Sequence, residues 1–171
     1  MSASFAVRPR TDDDLPACAS VLAGVQARDG YPVDDIADPA GFLTPPGLLG
    51  AWVAASADGS VAGHVALSEP SPSYAPALLW SRESGEPLDR LGVLGRLFVA
   101  PAARGSGLGA RLVAAVVDEC ARLGRRPLLD VVVKDAAAVR LYDRLGWTRF
   151  GTVTLRFPSG PVDAHCYVDL R

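Results

Sequence analysis

Apolar and polar positions fall into two rhythms along this chain, and their order predicts most of its elements. Residues 5–8 form a short apolar run of strand type. Thr11 or Asp12 can cap a helix from about residue 13 to 27, with Leu15, Cys18, Ala19, Leu22 and Val25 on one face. Gly30, Pro32, Pro39, Pro45 and Pro46 then interrupt the chain and leave room only for a short helix at 40–43. Residues 49–56 and 60–68 read as two strands joined by the turn Ala57-Asp58-Gly59. The stretch 69–89 carries Pro70, Pro72, Pro76 and Pro87 and reads as a loop, with a helical turn around 77–81. A strand follows at 91–100. A helix runs from Gly107 to Leu123, with Leu108, Leu112, Ala115, Val116, Glu119 and Leu123 at helical spacing and Gly124 as its stop. Residues 128–133 are an apolar, β-branched run typical of a strand buried on both faces. A helix at 135–145 ends at Gly146, and strands 148–157 and 162–170 form a hairpin around Pro158-Ser159-Gly160.

This order predicts one α/β (α+β) domain over residues 1–171. Its sheet is mixed and mostly antiparallel, with flanking helices and a central β-α-β unit. Length suits a single domain with a full core. The apolar share of 49% and charged share of 21% are those of a globular protein, which argues against global disorder. A net charge of −2 gives no footprint for nucleic acid. Met1-Ser2-Ala3-Ser4 has neither a basic start nor an apolar core, so no leader is expected, and no apolar run is long enough for a membrane span. Cys18, Cys120 and Cys166 are odd in number and far apart; buried reduced thiols in a cytoplasmic protein are the simplest expectation. One lysine, one isoleucine and no asparagine point to a compositional bias, so single Asp and Arg residues carry less information than usual.

The chemistry concentrates at Arg104-Gly105-Ser106-Gly107-Leu108-Gly109. Glycines at alternate positions leave peptide N–H groups unshielded, and a helix follows at once with its own unpaired N–H groups and partial positive charge. Such a loop suits an anion, a diphosphate above all. Arg104 adds a charged donor at the entrance, and Arg111 stands one turn on. The string also satisfies G-x-G-x-x-A. Against a dinucleotide site, Pro101 to Arg104 separates the first glycine from its strand, and Asp130 is not at the end of the next strand. Too little chain follows for a doubly wound sheet. No G-x-x-x-x-G-K-[ST] loop is present.

Residues 97–112 closely resemble the acyl-CoA-binding core of the GNAT acetyltransferase superfamily, whose pattern [QR]-x-x-G-x-[GA] is met by Arg104, Gly107 and Gly109. Residues 135–147 resemble its second landmark, with Asp135 in place of the usual asparagine, then Ala138, Tyr142, Gly146 and Trp147. The resemblance covers nearly the whole chain and implies the acyl-CoA N-acyltransferase fold, acetyl-CoA as co-substrate and no metal. It implies that strands 91–100 and 128–133 splay to admit the pantetheine arm, which pairs with backbone groups of Leu97, Phe98 and Val99. A bulge there would aim an N–H, that of Val99, at the thioester carbonyl to polarise it and stabilise the oxyanion. Diphosphate binding would fall to residues 104–109 with Ala110. Tyr142, matching the family's acid, would hydrogen-bond the CoA sulfur and protonate the leaving thiolate, although a thiol near pKa ~8.5 is more acidic than a tyrosine near ~10 and a positioned donor would suffice. Asp135 would cap its helix and accept from a pantetheine N–H. Dimers are frequent among proteins resembling this one.

Many members place a glutamate on the strand before the phosphate loop; this chain has Gly95-Arg96-Leu97 there. Glu69 is the first substitute as base, with Asp34, Asp35, His64 or water as others. The expected function is acetyl transfer to a primary amine of a small molecule or peptide. The missing acid motivates an alternative, a non-catalytic or regulatory acyl-CoA-binding module. Acceptor recognition is expected from residues 28–46, 69–88 and 157–162. Trp52, Trp80 and Trp147 read as core or edge residues, and no ligand-spaced Cys accompanies His64 or His165.

Overall fold

A computed structural model describes residues 4–171; Met1 to Ala3, part of the stretch read for a leader, lie outside the described residues. The strands are β1 (Phe5–Pro9), β2 (Leu48–Ser56), β3 (Val61–Ser68), β4 (Leu91–Val99), β5 (Arg126–Val132), β6 (Thr148–Phe157) and β7 (Gly160–Val168). The helices are α1 (Leu15–Asp29), α2 (Pro39–Leu43), α3 (Ala75–Ser84), α4 (Leu108–Leu123) and α5 (Ala136–Arg144). One sheet runs β1-β2-β3-β4-β5-β7-β6, antiparallel except between β4 and β5. The mixed, mostly antiparallel sheet is thus as expected, but β7 enters between β5 and β6. Among the described residues no helix is long and apolar enough to cross a membrane.

The stretch 69–89 departs from the expected loop by holding a ten-residue helix, α3. Pro76 sits in its first turn, where a missing N–H costs nothing, and Gly85 stops it in the left-handed conformation. Ala77 packs with Leu91, Leu128 and Val168 on one face of the sheet, and Trp80 meets Phe150 edge-on. The same face takes α1, whose Cys18, Leu22 and Val25 close on Val53, Ala55 and Phe98. On the opposite face α4 buries Leu108, Leu112, Val113, Val116 and Cys120. Fully burying one such leucine stabilises by roughly 1.5–3 kcal/mol, so these contacts fix α4 firmly on the sheet. The three cysteines are free and buried.

Two irregularities prepare the site. The parallel pairing of β4 and β5 covers only Leu91 with Arg126, Gly92 with Pro127 and Val93 with Leu128. Beyond these, β5 continues beside β7 as far as Val132, while the β5-facing edge of β4 has no strand partner. The sheet is therefore open along a wedge between Leu94–Val99 and Leu129–Val132. The second irregularity is a bulge. His64 pairs with Phe98 and Ala66 with Gly95, so Arg96 and Leu97 together oppose Val65. The extra residue puts both Leu94 and Leu97 against the α4 core, three positions apart, and turns Phe98 to the α1 side.

Candidate active site

At the upper end of the wedge the chain passes through a short 3-10 turn, Pro101–Ala103, and enters the glycine loop. Gly105 and Gly107 both have φ of +77°, a conformation that side chains with Cβ resist. Nothing lies within 4 Å of where a Cβ would stand on either, so a ligand can approach the backbone directly. Gly107 caps α4 without a side-chain hydrogen bond, and the N–H groups of the first turn stay available. Ser106 Oγ donates to the Ala103 carbonyl at 2.5 Å and folds the loop back on itself. Arg104 Nε donates to the Val99 carbonyl, and its Nη2 pairs with Asp29 at the end of α1. Arg111 turns to the Phe5 carbonyl at 2.9 Å, so the structure does not bring it to the loop.

Backbone direction in β4 follows from one hydrogen bond. The Ala100 N–H donates to Ala62 at 2.7 Å across the β3 side. Alternation along an antiparallel ladder then sends the Phe98 N–H to β3 and the Val99 N–H the other way, into the wedge. The Val99 N–H therefore faces the wedge, whereas the Phe98 N–H is engaged within the sheet and is not open to the pantetheine pairing expected of it.

The bulge itself is tied from three sides. Arg96 has φ +54°, a left-handed conformation that costs a non-glycine residue roughly 1–2 kcal/mol. His64 Nδ1 lies 2.9 Å from the Arg96 carbonyl, an obligate acceptor, so Nδ1 carries the proton. Arg10 Nη1 donates to His64 Nε2 at 2.9 Å and to the Leu43 carbonyl at 2.6 Å. Arg96 Nε donates to the Phe42 carbonyl at 3.1 Å, and its guanidinium lies 4.3 Å over the Phe42 ring. His64 is fully buried and stacks on Phe98. Burial, helped by the nearby charges of Arg10 and Arg96, pushes its pKa down to about 4. With both ring nitrogens engaged it is a structural neutral imidazole and not a candidate base.

Across the wedge stands Tyr142 on α5, buried between Trp147 and Tyr167. Its hydroxyl has no hydrogen-bond partner among the described residues, yet it is not among the sealed polar atoms. Burial raises its pKa strongly, and Tyr31, Asp135 and Asp130 raise it further. Asp135 caps α5 by accepting from the Ala138 N–H at 3.0 Å.

Three side chains not expected to act at the site, Asp130, Tyr74 and Tyr31, lie near one another. Asp130 is the one charged side chain in the middle of apolar β5, and it accepts a short hydrogen bond from the Tyr74 hydroxyl. Burial pushes its carboxyl above the ordinary value, while Tyr74 and the charge of Arg96 pull the other way. Tyr74 sits at the start of α3, inside the stretch expected to be loop. Tyr31, after α1, is raised to about 12, chiefly by burial; Arg96, Asp130 and Asp135 act on it electrostatically. Glu69, by contrast, is not brought to the wedge. It follows Ser68, whose partner is Val93 at the closed end, and pairs with Arg125 at 2.8 Å. A cavity of about 460 Å³ also lies at that end, lined by Arg90, Arg125, Arg126 and Asp169 among others. It contains none of the wedge side chains and is crossed by the ion pairs Arg126–Glu86 and Arg171–Asp169.

Known proteins match this arrangement. A sequence model of the acetyltransferase (GNAT) family matches residues 20–147. The L-methionine sulfoximine/L-methionine sulfone acetyltransferase of Salmonella typhimurium is 33% identical over 75 residues, which span 43% of this chain and 42% of that protein. A GCN5-related N-acetyltransferase of Kribbella flavida superposes with a TM-score of 0.69 at 26% identity, covering 97% of each chain. NAA60 of Arabidopsis thaliana in complex with acetyl-CoA superposes with a TM-score of 0.73 at 17% identity, covering 96% of this chain and 97% of that one.

Proposed function

The chain belongs to the GNAT acetyltransferase family, and from that membership we propose that it transfers the acetyl group of acetyl-CoA to a primary amine by direct attack on the thioester. The observation that carries this reading is the wedge between β4 and β5, with the glycine loop at its head and the Tyr142 hydroxyl at its side. The CoA diphosphate lies on the N–H groups of residues 105–110, with Leu108 and Gly109 opening the helix under it. The pantetheine arm fills the place of the missing strand beside β4, pairing with Leu97 and Val99.

The thioester carbonyl then meets the Val99 N–H, which stabilises negative charge on that oxygen as the amine adds. Asp130, hydrogen-bonded to Tyr74, receives the proton that the attacking amine loses. Its raised pKa suits it to that task better than an ordinary aspartate. As the tetrahedral intermediate collapses, a C–N bond has formed and the C–S bond breaks. Tyr142 donates a hydrogen bond to the departing sulfur. A thiol of pKa ~8.5 is more acidic than a tyrosine of ~10, and burial widens that gap, so Tyr142 stabilises the thiolate without surrendering its proton.

The alternative of a non-catalytic acyl-CoA-binding module drew on the missing acid near Arg96. Asp130, on the opposite wall, removes that motive. The test is free-thiol release from acetyl-CoA across a panel of amino acids, polyamines, peptides and aminoglycosides. Tight CoA binding with no thiol release from any of them would leave only the binding module, and binding of NAD(H) in place of CoA would refute both.

A further inference from the structure

We infer that the acceptor amine is an α-amino acid and that Arg96 is the residue that binds its carboxylate. This rests on the acetyl-transfer reading above and adds the class of acceptor to it. The starting point is the guanidinium of Arg96. Its Nε is spent on the Phe42 carbonyl and its face on the Phe42 ring. Both contacts immobilise the group, and neither uses Nη1 or Nη2. Among the described residues these two nitrogens have no hydrogen-bond partner, and no carboxylate lies within 4.0 Å of them. A half-buried arginine, immobilised through Nε and its face with the fork unused by the protein, is preorganised to bind an anion. The fork matches a carboxylate in two parallel hydrogen bonds, a geometry lysine cannot supply.

The backbone points the same way. Arg96 is the only non-glycine residue with positive φ among the described residues. Strain of this kind persists where surrounding contacts hold it, and it gathers at ligand-binding sites. Here His64, itself held by Arg10, binds the carbonyl while Phe42 holds the side chain.

The opposite wall supplies the complementary charge. Asp130 feels Arg96 electrostatically without forming an ion pair with it. Tyr31 and Tyr74 also lie within reach of both charges. The space therefore has a cation on one side and an anion on the other. An α-amino acid carries its ammonium and carboxylate on one carbon and satisfies both, placing the nitrogen on the Asp130 side where the thioester arrives. A polyamine would set a second positive charge against Arg96, and a lysine side chain would bring no carboxylate to its fork.

The experiment compares free L-amino acids with their carboxamides and their decarboxylated amines, by thiol release from acetyl-CoA. Free acids should be preferred, and Arg96→Gln should raise their KM by about 10–100-fold, the scale of hydrogen bonds to a charged group, with the carboxamide KM unchanged. Carboxamides and decarboxylated amines turning over as well as the acids on the wild-type enzyme would overturn the inference, even if Arg96→Gln fails to fold, and would leave acetyl transfer standing. If no amine releases thiol, calorimetry on the CoA complex decides. Amino-acid binding that Arg96→Gln abolishes supports the carboxylate site, and absence of binding by any amino acid refutes it.

Discussion

Acid should loosen this protein through His64 before it protonates most of the carboxylates. The imidazole is fully buried, locked between Arg10 and the Arg96 carbonyl, and its pKa is held at about 4 against an ordinary 6.5. The unfolded chain takes up a proton below about pH 6.5, which the folded protein refuses until about pH 4. Stability is therefore lost as pH falls through that window, at ~1.4 kcal/mol per pH unit, and levels off below it. The full loss is on the order of 3 kcal/mol, a large share of a typical 5–15 kcal/mol. Asp14, Asp29, Asp58, Glu86 and Glu119 all have lowered pKa values and add acid sensitivity of their own, so the wild type alone does not isolate the effect. His64→Gln removes the titration and keeps an amide able to donate to Arg96. Urea unfolding of both proteins between about pH 7 and about pH 4.5 should show the wild type losing ~2 kcal/mol more than the variant. A wild-type-to-variant difference that stays constant with pH would refute the assignment of a buried neutral imidazole.

Tyr142→Phe should lower kcat by roughly 10–10³-fold with little change in KM for acetyl-CoA, since the hydroxyl acts on the departing sulfur; unchanged turnover would remove it from the mechanism. Asp130→Asn should cost roughly 10²-fold or more in kcat/KM at neutral pH, with part of the loss recovered at alkaline pH where the free amine is abundant; a pH-rate profile parallel to the wild type would shift the proton to another acceptor. Gly107→Trp should weaken CoA binding by at least about tenfold in calorimetry; the space above residue 107 is open but its φ of +77° strains any Cβ, so a stability loss of ~1–2 kcal/mol should accompany a native far-ultraviolet spectrum.

The parts of the site visible in the sequence are those made within a few residues. Glycine spacing from 105 to 109 is local, and the helix expected at 135–145 is observed as α5, Ala136–Arg144. Four prolines mask the full length of α3 beyond the turn expected at 77–81, although Pro76 falls in the one turn that tolerates it. In the sequence Asp130 reads only as an acid misplaced for a dinucleotide site, because its partner is a tyrosine 56 residues away. The bulge is a matter of pairing, two residues against Val65; no hydrophobic pattern encodes it, and only the family resemblance anticipated it. His64, open to reading as a base from its type alone, became structural once both nitrogens found partners.

The three short pairs joining β4 to β5 make the protein's midline its least cross-linked seam. On one side lie β1 to β4, and on the other β5, β7 and β6, each internally paired over much longer registers. A co-substrate arm laid along that gap works as a splint between two half-sheets. Occupancy is then legible in the mechanics of the whole molecule: at a ligand concentration of 100 Kd, linkage adds ~2.7 kcal/mol against unfolding, and slower amide exchange concentrates along the seam itself.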